Sequence, residues 1–93
     1  MADGPWVFKA TPQFWRSFEA LSAANQAAAK EAFKIFKANP FDARLRPHKI
    51  NRLTALRKKT VRSVVIAGDL RAVFETEGNT IISTDIGSHD IYK

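Results

Sequence analysis

Three short segments rich in β-branched residues, separated by two glycine turns, constrain the fold of this chain more than any other feature. They span 60–66, 70–75 and 80–86, and the turns contain Gly68 and Gly78. β-Branched and aromatic residues favour strands, and turns of this length join neighbouring antiparallel strands. The sequence therefore predicts a three-stranded antiparallel meander, which needs a second layer to bury one of its faces.

The first half of the chain supplies that second layer. Residues 6–10 have strand composition, and Thr11 then offers a helix cap before Pro12, which suits the first position of a helix. Ser22 can cap a second, longer helix that runs to about Ala38. The predicted order is β-α-α-β-β-β. This is an α+β fold in which two N-terminal helices pack on one face of a small antiparallel sheet, and the other face is open for a ligand.

Both predicted helices have an apolar stripe at helical spacing. On the second helix, Lys30, Lys34 and Lys37 are interpreted as the opposite, solvent-facing stripe, with Glu31 assisting Lys34. The residues expected to be buried are Phe14, Trp15, Phe18 and Leu21 on the first helix and Ala29, Ala32, Phe33 and Phe36 on the second.

The size of the chain and its composition limit the possible functions. With 93 residues, there is room for a single domain, 1–93, around one hydrophobic core. The chain has no cysteine for a disulfide or a thiolate metal site, and His48, His89 and Asp90 are too few for a structural metal. Scattered glycines argue against a nucleotide-binding loop, so no cofactor is expected. No segment has the ~20 apolar residues of a membrane span, and the N-terminus lacks leader features, so a cytoplasmic protein is expected.

The charge of the chain is concentrated in its middle. Fifteen Lys and Arg residues against nine Asp and Glu residues give a net charge of +6. The stretch 43–68 has no acidic residue and contains eight of these cations. Such a stretch favours a polyanionic partner, nucleic acid above all, although a basic surface kept for solubility is a second interpretation. Segment 48–59 is ambiguous, because Ile50, Leu53 and Leu56 would fit one or two helical turns while Arg and Lys occupy much of the rest, and it is predicted to be irregular. It contains the candidate RNA-binding residues Lys49, Arg52, Arg57, Lys58 and Lys59.

The residues with catalytic potential fall on the predicted strands and on the C-terminal segment. Strand alternation puts Arg71 on the face opposite Phe74, away from the helices, and Arg62 lies on the neighbouring strand. His89 and Tyr92 follow the last strand. Metal-independent cleavage of RNA requires deprotonation of a 2′-hydroxyl, stabilisation of the phosphorane charge and protonation of the leaving 5′-oxygen. Arginine suits the phosphate, histidine suits proton transfer, and tyrosine can stack on a base.

Two motifs are specific, namely Asp69-Leu70-Arg71 on a strand and the terminal Gly-x-His-Asp-x-Tyr pattern of 87–92. Together with other segments in the same order, they resemble the toxins of the RelE/ParE superfamily of bacterial toxin–antitoxin systems over essentially the whole chain. The resemblance implies a microbial RNase fold that enters the ribosomal A site and cuts mRNA. It also implies a cognate acidic antitoxin that wraps across the sheet and the helices. The other matching segments are 14–21, Asn39-Pro40, His48-Lys49-Ile50 and Arg62-Ser63-Val64.

The resemblance also implies roles for single residues. Arg71 matches the strand arginine that contacts the scissile phosphate, Tyr92 matches the C-terminal tyrosine, and His89 falls where members have arginine or histidine. Members most like RelE carry two lysines on the strand before the arginine, where this chain has Arg62 as its only cation. Members like YoeB use a glutamate as base, but 43–68 has no acidic residue. His89 is therefore the obvious group for proton transfer.

Three functions remain open at this point. The terminal His-x-x-Tyr pattern favours a ribosome-dependent mRNA endonuclease, with ribosome and mRNA as partners. The missing lysine pair and the missing glutamate favour a ParE-like poison of DNA gyrase, which shares the fold but has no nuclease chemistry. The third possibility is a non-toxic binding protein with the same fold.

Overall fold

A computed structural model describes residues 6–88 of the chain. The helices are α1 (Pro12–Glu19), α2 (Ala23–Ala38) and α3 (Asn51–Arg57), and the strands are β1 (Val7–Ala10), β2 (His48–Lys49), β3 (Thr60–Ala67), β4 (Leu70–Glu77) and β5 (Thr80–Ser88). Within residues 6–88, no helix is both long and apolar enough to cross a bilayer. The predicted α+β order is confirmed, with β2 and α3 as additions.

The five strands form one sheet in the order β1-β5-β4-β3-β2. The meander of β3, β4 and β5 is antiparallel as predicted, but β1 pairs parallel to β5, with Val7 opposite Thr80 and Ala10 opposite Ser83. The sheet is therefore mixed, which corrects the expectation of an antiparallel sheet. A parallel pair needs a long crossover connection, and α1 and α2 lie in the segment between β1 and the meander.

Local signals in the sequence place the first two helices. The Thr11 hydroxyl accepts a hydrogen bond from the Phe14 N–H at 3.2 Å, and the Ser22 hydroxyl accepts one from the Asn25 N–H at 3.1 Å. Each cap satisfies a backbone donor that the first turn leaves without an intrahelical partner. Both predicted helix starts are confirmed because they depend only on residues near each start.

The core lies between these two helices and one face of the sheet, called here the helix face. Its strand residues include Leu70, Ala72 and Phe74, and the Phe74 ring lies edge-on to Phe36 at 5.0 Å. Trp15 was expected to be buried, but it is 50% exposed. The remaining buried members of this core are Phe14, Ala29, Ala32, Leu45, Val64, Ile81 and Ile86.

Segment 48–59 is ordered into β2 and α3, so the prediction of an irregular segment was wrong. Contacts with β3 hold it. The Ile50 N–H donates to the Val61 carbonyl at 2.8 Å, and the Val61 N–H donates to the Thr54 hydroxyl at 2.9 Å. Lys58 ends α3 in the left-handed conformation, at φ 57°. Since these partners are distant in sequence, the periodicity of the segment could not predict them.

The sheet face opposite the helix face is called here the α3 face, and part of it is covered. Val61, Ser63, Val73 and Glu75 are all at most 4% exposed. Arg57 of α3 contacts the Glu75 carboxylate there. The face that was expected to be open therefore has a covered region over β3 and β4.

Candidate functional site

Arg71 lies on β4, on the α3 face of the sheet, opposite Val65 of β3 and Gly87 of β5. Its side chain is half-buried, and Nη1 donates to the carbonyls of Gly68 at 2.7 Å and Leu70 at 3.3 Å. The guanidinium therefore lies over the turn between β3 and β4. Its neighbour Gly87 has no side chain, and a guanidinium has five donors, so this end of the sheet offers a place for an anion.

His48 is brought to the same face as Arg71. It pairs with Ser63 on β3, which pairs with Val73 on β4, and residues that pair across strands share a face. The Ser63 hydroxyl lies 3.2 Å from Nε2 and 3.4 Å from Nδ1 of His48. Ser63 is fully buried, whereas His48 is exposed. A buried hydroxyl therefore contacts an imidazole that solvent can reach.

The position of His48 relative to Arg71 follows from the strand register. The two residues are two strands apart, which is a lateral distance of about 10 Å, and they are offset by two residues along β3. Sequence reasoning counted His48 in the basic stretch, in a matching segment and as a distant metal ligand. It did not place His48 on the face of Arg71, because no motif marks the two-residue strand β2. The signal that could have found it was the predicted strand at Ser63, which could pair with a preceding segment.

The loop before His48 is shaped by an ion pair. Asp42 Oδ1 accepts hydrogen bonds from the backbone N–H of Arg44 at 2.9 Å and from its Nε at 3.0 Å. These hydrogen bonds from Arg44 lower the pKa of Asp42 to about 2. Arg46 then adopts the left-handed conformation at φ 48°, and the chain enters β2 two residues later.

Arg57 and Lys59, two of the candidate RNA-binding cations, contact carboxylates of β4. Arg57 Nε contacts Oε2 of Glu75, which is 2% exposed, so this arginine attaches α3 to the sheet. Lys59 lies 3.6 Å from Glu77, and this pair is more exposed. An ion pair near the surface contributes little to stability, so Lys59 is more available to another anion than Arg57 is.

The other three candidates are exposed around β2 and α3. Lys49 lies on β2, Arg52 in the first turn of α3, and Lys58 at the C-terminal end of α3. The basic surface is defined here as Lys49, Arg52 and Lys58. All three side chains are exposed and can be reached by a polyanion, but Lys49 pairs with Arg62 and therefore lies on the other side of the sheet from His48.

Arg62 lies on the opposite side of the sheet from Arg71. It pairs with Phe74, a core residue of the helix face, and its guanidinium carbon lies 5.0 Å from the centre of the Phe41 ring. It also donates to the Thr76 hydroxyl at 3.3 Å. The structure therefore does not bring Arg62 and Arg71 together. The contact with Phe41 is a cation–π interaction that holds the loop after α2 against the sheet.

His89 and Tyr92 lie outside the described residues. The last described residue is Ser88, which pairs with Leu70, the neighbour of Arg71. Among residues 6–88, no group of three or more His, Cys, Asp or Glu side chains is arranged to hold a metal ion.

Three solved structures resemble this chain. No protein-family model and no curated protein matches the sequence. The RelE–RelB complex from the archaeon Pyrococcus horikoshii matches with a TM-score of 0.69 and 13% identity, over 92% of this chain and 97% of that chain. A copper-bound mutant toxin from Helicobacter pylori matches with a TM-score of 0.62 and 16% identity, over 92% and 97%. The YoeB dimer from Staphylococcus aureus matches with a TM-score of 0.62 and 17% identity, over 90% and 97%. The expected fold is confirmed: this chain has the fold of the RelE and YoeB toxins.

Proposed function

We propose that this protein is the toxin of a toxin–antitoxin pair and that it cleaves mRNA in the ribosomal A site. The observation that supports the proposal best is the shared face of Arg71 and His48 in a RelE-like fold. One group is a permanent cation suited to a phosphate, and the other is an imidazole, a side chain that can accept and donate a proton. The site works in the cytoplasm, where ribosomes and mRNA are found.

The chemistry assigned to the site is attack of a ribose 2′-oxygen on the neighbouring phosphorus. A base takes the 2′-hydroxyl proton as the O2′–P bond forms, and an acid gives a proton to the 5′-oxygen as the P–O5′ bond breaks. The products are a 2′,3′-cyclic phosphate and a free 5′-hydroxyl. Arg71 stabilises the negative charge that develops on the phosphoryl oxygens. His48 and His89 are the two groups for proton transfer, and Tyr92 is assigned to stacking on a base.

The basic surface of Lys49, Arg52 and Lys58 is assigned to ribosomal RNA and mRNA backbone. Phosphate contacts of this kind position a protein without reading sequence, so codon choice is not assigned to these residues. Arg57 and Lys59 have a smaller part because each has a carboxylate partner. Arg62, which lies on the helix face, is assigned a structural role.

The proposed partner in the absence of a ribosome is an acidic antitoxin. A chain with a net charge of +6 attracts an acidic partner, and opposite charges also accelerate association. The neighbour from Pyrococcus horikoshii was solved as a complex of RelE with RelB, which supports a protein partner for this fold.

The function is tested with ribosomes programmed with defined A-site codons, with cleavage mapped by primer extension. Arg71→Ala should lose roughly 10² to 10³ in cleavage rate, the typical loss when one preorganised donor to a developing oxyanion is removed. Arg16→Ala is the matched control, because Arg16 is an exposed arginine on α1 whose guanidinium donates to the Gln13 side chain. Its rate should be that of the wild type.

A gyrase supercoiling assay runs beside the cleavage assay. If the wild-type protein leaves A-site mRNA intact and blocks supercoiling, the endonuclease proposal is wrong and the ParE-like function replaces it. If the protein does neither, and its expression without a partner does not slow growth, the toxin proposal itself is wrong.

A further inference from the structure

The helix α3 is attached to the rest of the molecule by little apolar packing. It has seven residues, Asn51–Arg57, and none of them is buried. Leu56, which could anchor the helix, is 71% exposed. An isolated helix shorter than about 12–15 residues is marginal in water, so α3 depends on its contacts with the sheet.

The ends of α3 add little to its stability. Ile50 stands at the N-cap without a side-chain hydrogen bond, and the first turn contains Arg52 but no acidic residue. A cation there is unfavourable near the positive end of the helix dipole, whereas Arg57 in the last turn suits the negative end. Lys58 ends the helix at φ 57°, a conformation that is uncommon for residues other than glycine.

Three polar contacts hold α3 on the sheet. The Ile50 N–H donates to the Val61 carbonyl at 2.8 Å, and the Val61 N–H donates to the Thr54 hydroxyl at 2.9 Å. Both of these contacts are with β3. The third contact is the ion pair of Arg57 with Glu75, which attaches the C-terminal end of the helix to β4.

The ion pair is unequally exposed. The Glu75 side chain is 3% exposed, whereas the Arg57 side chain is 54% exposed. Apart from its contact with Arg57, Oε2 of Glu75 has no hydrogen-bond partner within residues 6–88. A buried ion pair stabilises a fold no better than apolar side chains of similar volume, but separation of the pair leaves a costly buried charge. Such a pair is therefore better suited to holding one conformation of α3 than to adding stability.

We propose that α3 is a strap, residues 51–58, that opens from the sheet as a unit and is held closed by the ion pair of Arg57 with Glu75. The backbone at Ile50 and Lys58 forms the two hinges. No residue of the strap belongs to the core of the helix face, so that core and the pairing of β3, β4 and β5 stay intact when it opens. The proposal goes beyond the proposed function, because it concerns the free protein.

Opening of the strap changes the surface of the α3 face. Val61 and Glu75 are 1% and 2% exposed in the closed form, and both lie on this face. The open form presents them to solvent and extends the accessible face on which Arg71 and His48 lie. The protein thus has a closed form with the carboxylate covered and an open form with the carboxylate accessible.

The first test is amide hydrogen exchange of the full chain, followed by NMR. The Thr54 and Lys58 amides donate to carbonyls at Ile50 and Thr54, so they exchange when the strap opens and frays. After correction for intrinsic rates, they should exchange at least roughly 10²-fold faster than the slowest amides of β4 and β5. Low urea should accelerate the sheet amides but not these two, because local opening exposes little surface.

Charge-matched variants test the ion pair. Arg57→Gln and Glu75→Gln should each accelerate exchange of the Thr54 amide roughly tenfold, because the closed form loses its contact with β4. Lys59→Gln and Glu77→Gln remove the same charges from the neighbouring, more exposed pair, and each should change this rate by less than about twofold. Arg57→Lys keeps the charge and should accelerate exchange less than Arg57→Gln does.

A second measurement does not depend on these variants being folded. The chain has no cysteine, so Val61→Cys and Ile81→Cys each introduce a single thiol. Val61 is 1% exposed on the α3 face, and Ile81 is fully buried in the core of the helix face. Labelling with 5,5′-dithiobis(2-nitrobenzoic acid) should be at least about tenfold faster for Val61→Cys, because strap opening is enough to expose it. Circular dichroism checks that both proteins are folded.

Three outcomes would overturn the proposal. In the first, the strap amides exchange as slowly as the slowest sheet amides and with the same dependence on urea, which would mean that α3 opens only when the whole protein unfolds. In the second, Arg57→Gln and Lys59→Gln change the Thr54 exchange rate equally, which would mean that the buried pair does not hold the strap. In the third, Val61→Cys is labelled no faster than Ile81→Cys.

Discussion

At the scale of single residues, His48 changes the account of proton transfer. The sequence offered His89 alone, whereas the structure adds an exposed imidazole in contact with the buried hydroxyl of Ser63. Contact with a fixed hydroxyl restricts the orientation of the ring. On the proposed function, the site then has one histidine for each of the two proton transfers that the reaction needs.

Replacement of His48 tests this assignment. His48→Ala should lower the rate of A-site cleavage by ~10² or more, because general acid–base catalysis typically contributes that much. Its pH–rate profile should also change, because one of the two groups assigned to proton transfer is gone. His89→Ala, measured in parallel, should change the profile as well. A wild-type rate and an unchanged pH profile for His48→Ala would remove His48 from the chemistry and leave the proton transfers to His89.

Asp42 gives a pH dependence that is independent of function. Its pKa in the folded protein is about 2, because Arg44 donates hydrogen bonds to the carboxylate. The folded pKa is below the unfolded value of about 4, so the contact stabilises the fold fully above about pH 4 and is lost as pH falls towards 2.

We expect NMR titration to place the Asp42 carboxyl near pH 2 and to find a higher pKa in Arg44→Ala. Urea unfolding between about pH 4 and pH 2 should show a steeper loss of stability in the wild type than in Asp42→Asn. Parallel curves for the two proteins would mean that this carboxylate is not linked to folding.

At the scale of elements, α3 shows how tertiary contacts order a segment whose sequence pattern is ambiguous. Ile50, Leu53 and Leu56 fit one or two helical turns, but cations occupy much of the rest, and Leu56 is 71% exposed. The contacts that hold α3 are made by Thr54 and Arg57 with β3 and β4. None of these partners lies within the helix, so its hydrophobic pattern does not identify them.

The pair of Arg57 and Glu75 is expected to hold α3 on the sheet. Arg57→Ala leaves a carboxylate buried without its cation, and we expect it to lower the free energy of unfolding by roughly 1–3 kcal/mol, discounted because Arg57 is half exposed. Glu75→Gln in the same chain removes the buried charge and should recover part of the loss. A double-mutant cycle by urea denaturation measures the coupling, and additive effects would show that the two groups do not interact.

A β-bulge also decides which cations share a face. Ala67 pairs with Leu70, but Val65 pairs with Arg71, so Ile66 is an extra residue in β3. Without it, the two-residue turn would put Arg62 opposite Glu75, on the face of Arg71. With it, Arg62 lies opposite Phe74 on the helix face. A one-residue shift exchanges the two faces of a strand, and no residue type in this segment marks where the shift occurs.

At the scale of the whole molecule, positive charge is found in two separate regions. The basic surface of Lys49, Arg52 and Lys58 lies around β2 and α3. A groove beside α2 is lined by Lys9, Lys30, Lys34 and Lys37 together with aromatic side chains. The net charge of the protein does not distinguish these two regions. Their surroundings differ, because aromatic side chains line the groove beside α2.

The salt dependence of ribosome binding distinguishes the two regions. Each lost phosphate contact lowers the slope of log K against log salt by about 0.7–0.9, so Lys49→Glu/Lys58→Glu should flatten it by roughly 1.5. Lys30→Glu/Lys34→Glu has the same net charge and should keep the wild-type slope. Binding is measured by ribosome co-sedimentation at several salt concentrations. Equal flattening in both variants would mean that the ribosome senses only the overall charge of the protein.

The features that could be predicted from the amino-acid sequence are those that depend on neighbouring residues. Thr11 and Ser22 cap helices through side chains that reach only three residues ahead, and Gly68 and Gly78 accept the positive φ angles of 53° and 60° that their turns require. The position of Arg71 on the face away from the helices also followed from strand alternation. These signals involve residues that are close in sequence, so they can be interpreted before the fold is known.

Features that depend on distant partners became visible only in the folded chain. They are the parallel pairing of β1, the ordering of α3, the approach of His48 to Ser63 and the bulge that moves Arg62 to the helix face. In each case the deciding partner lies many residues away, and the contact exists only after the chain has closed the intervening loop. Local propensity carries no information about such a partner, because the free energy that selects it comes from packing between elements.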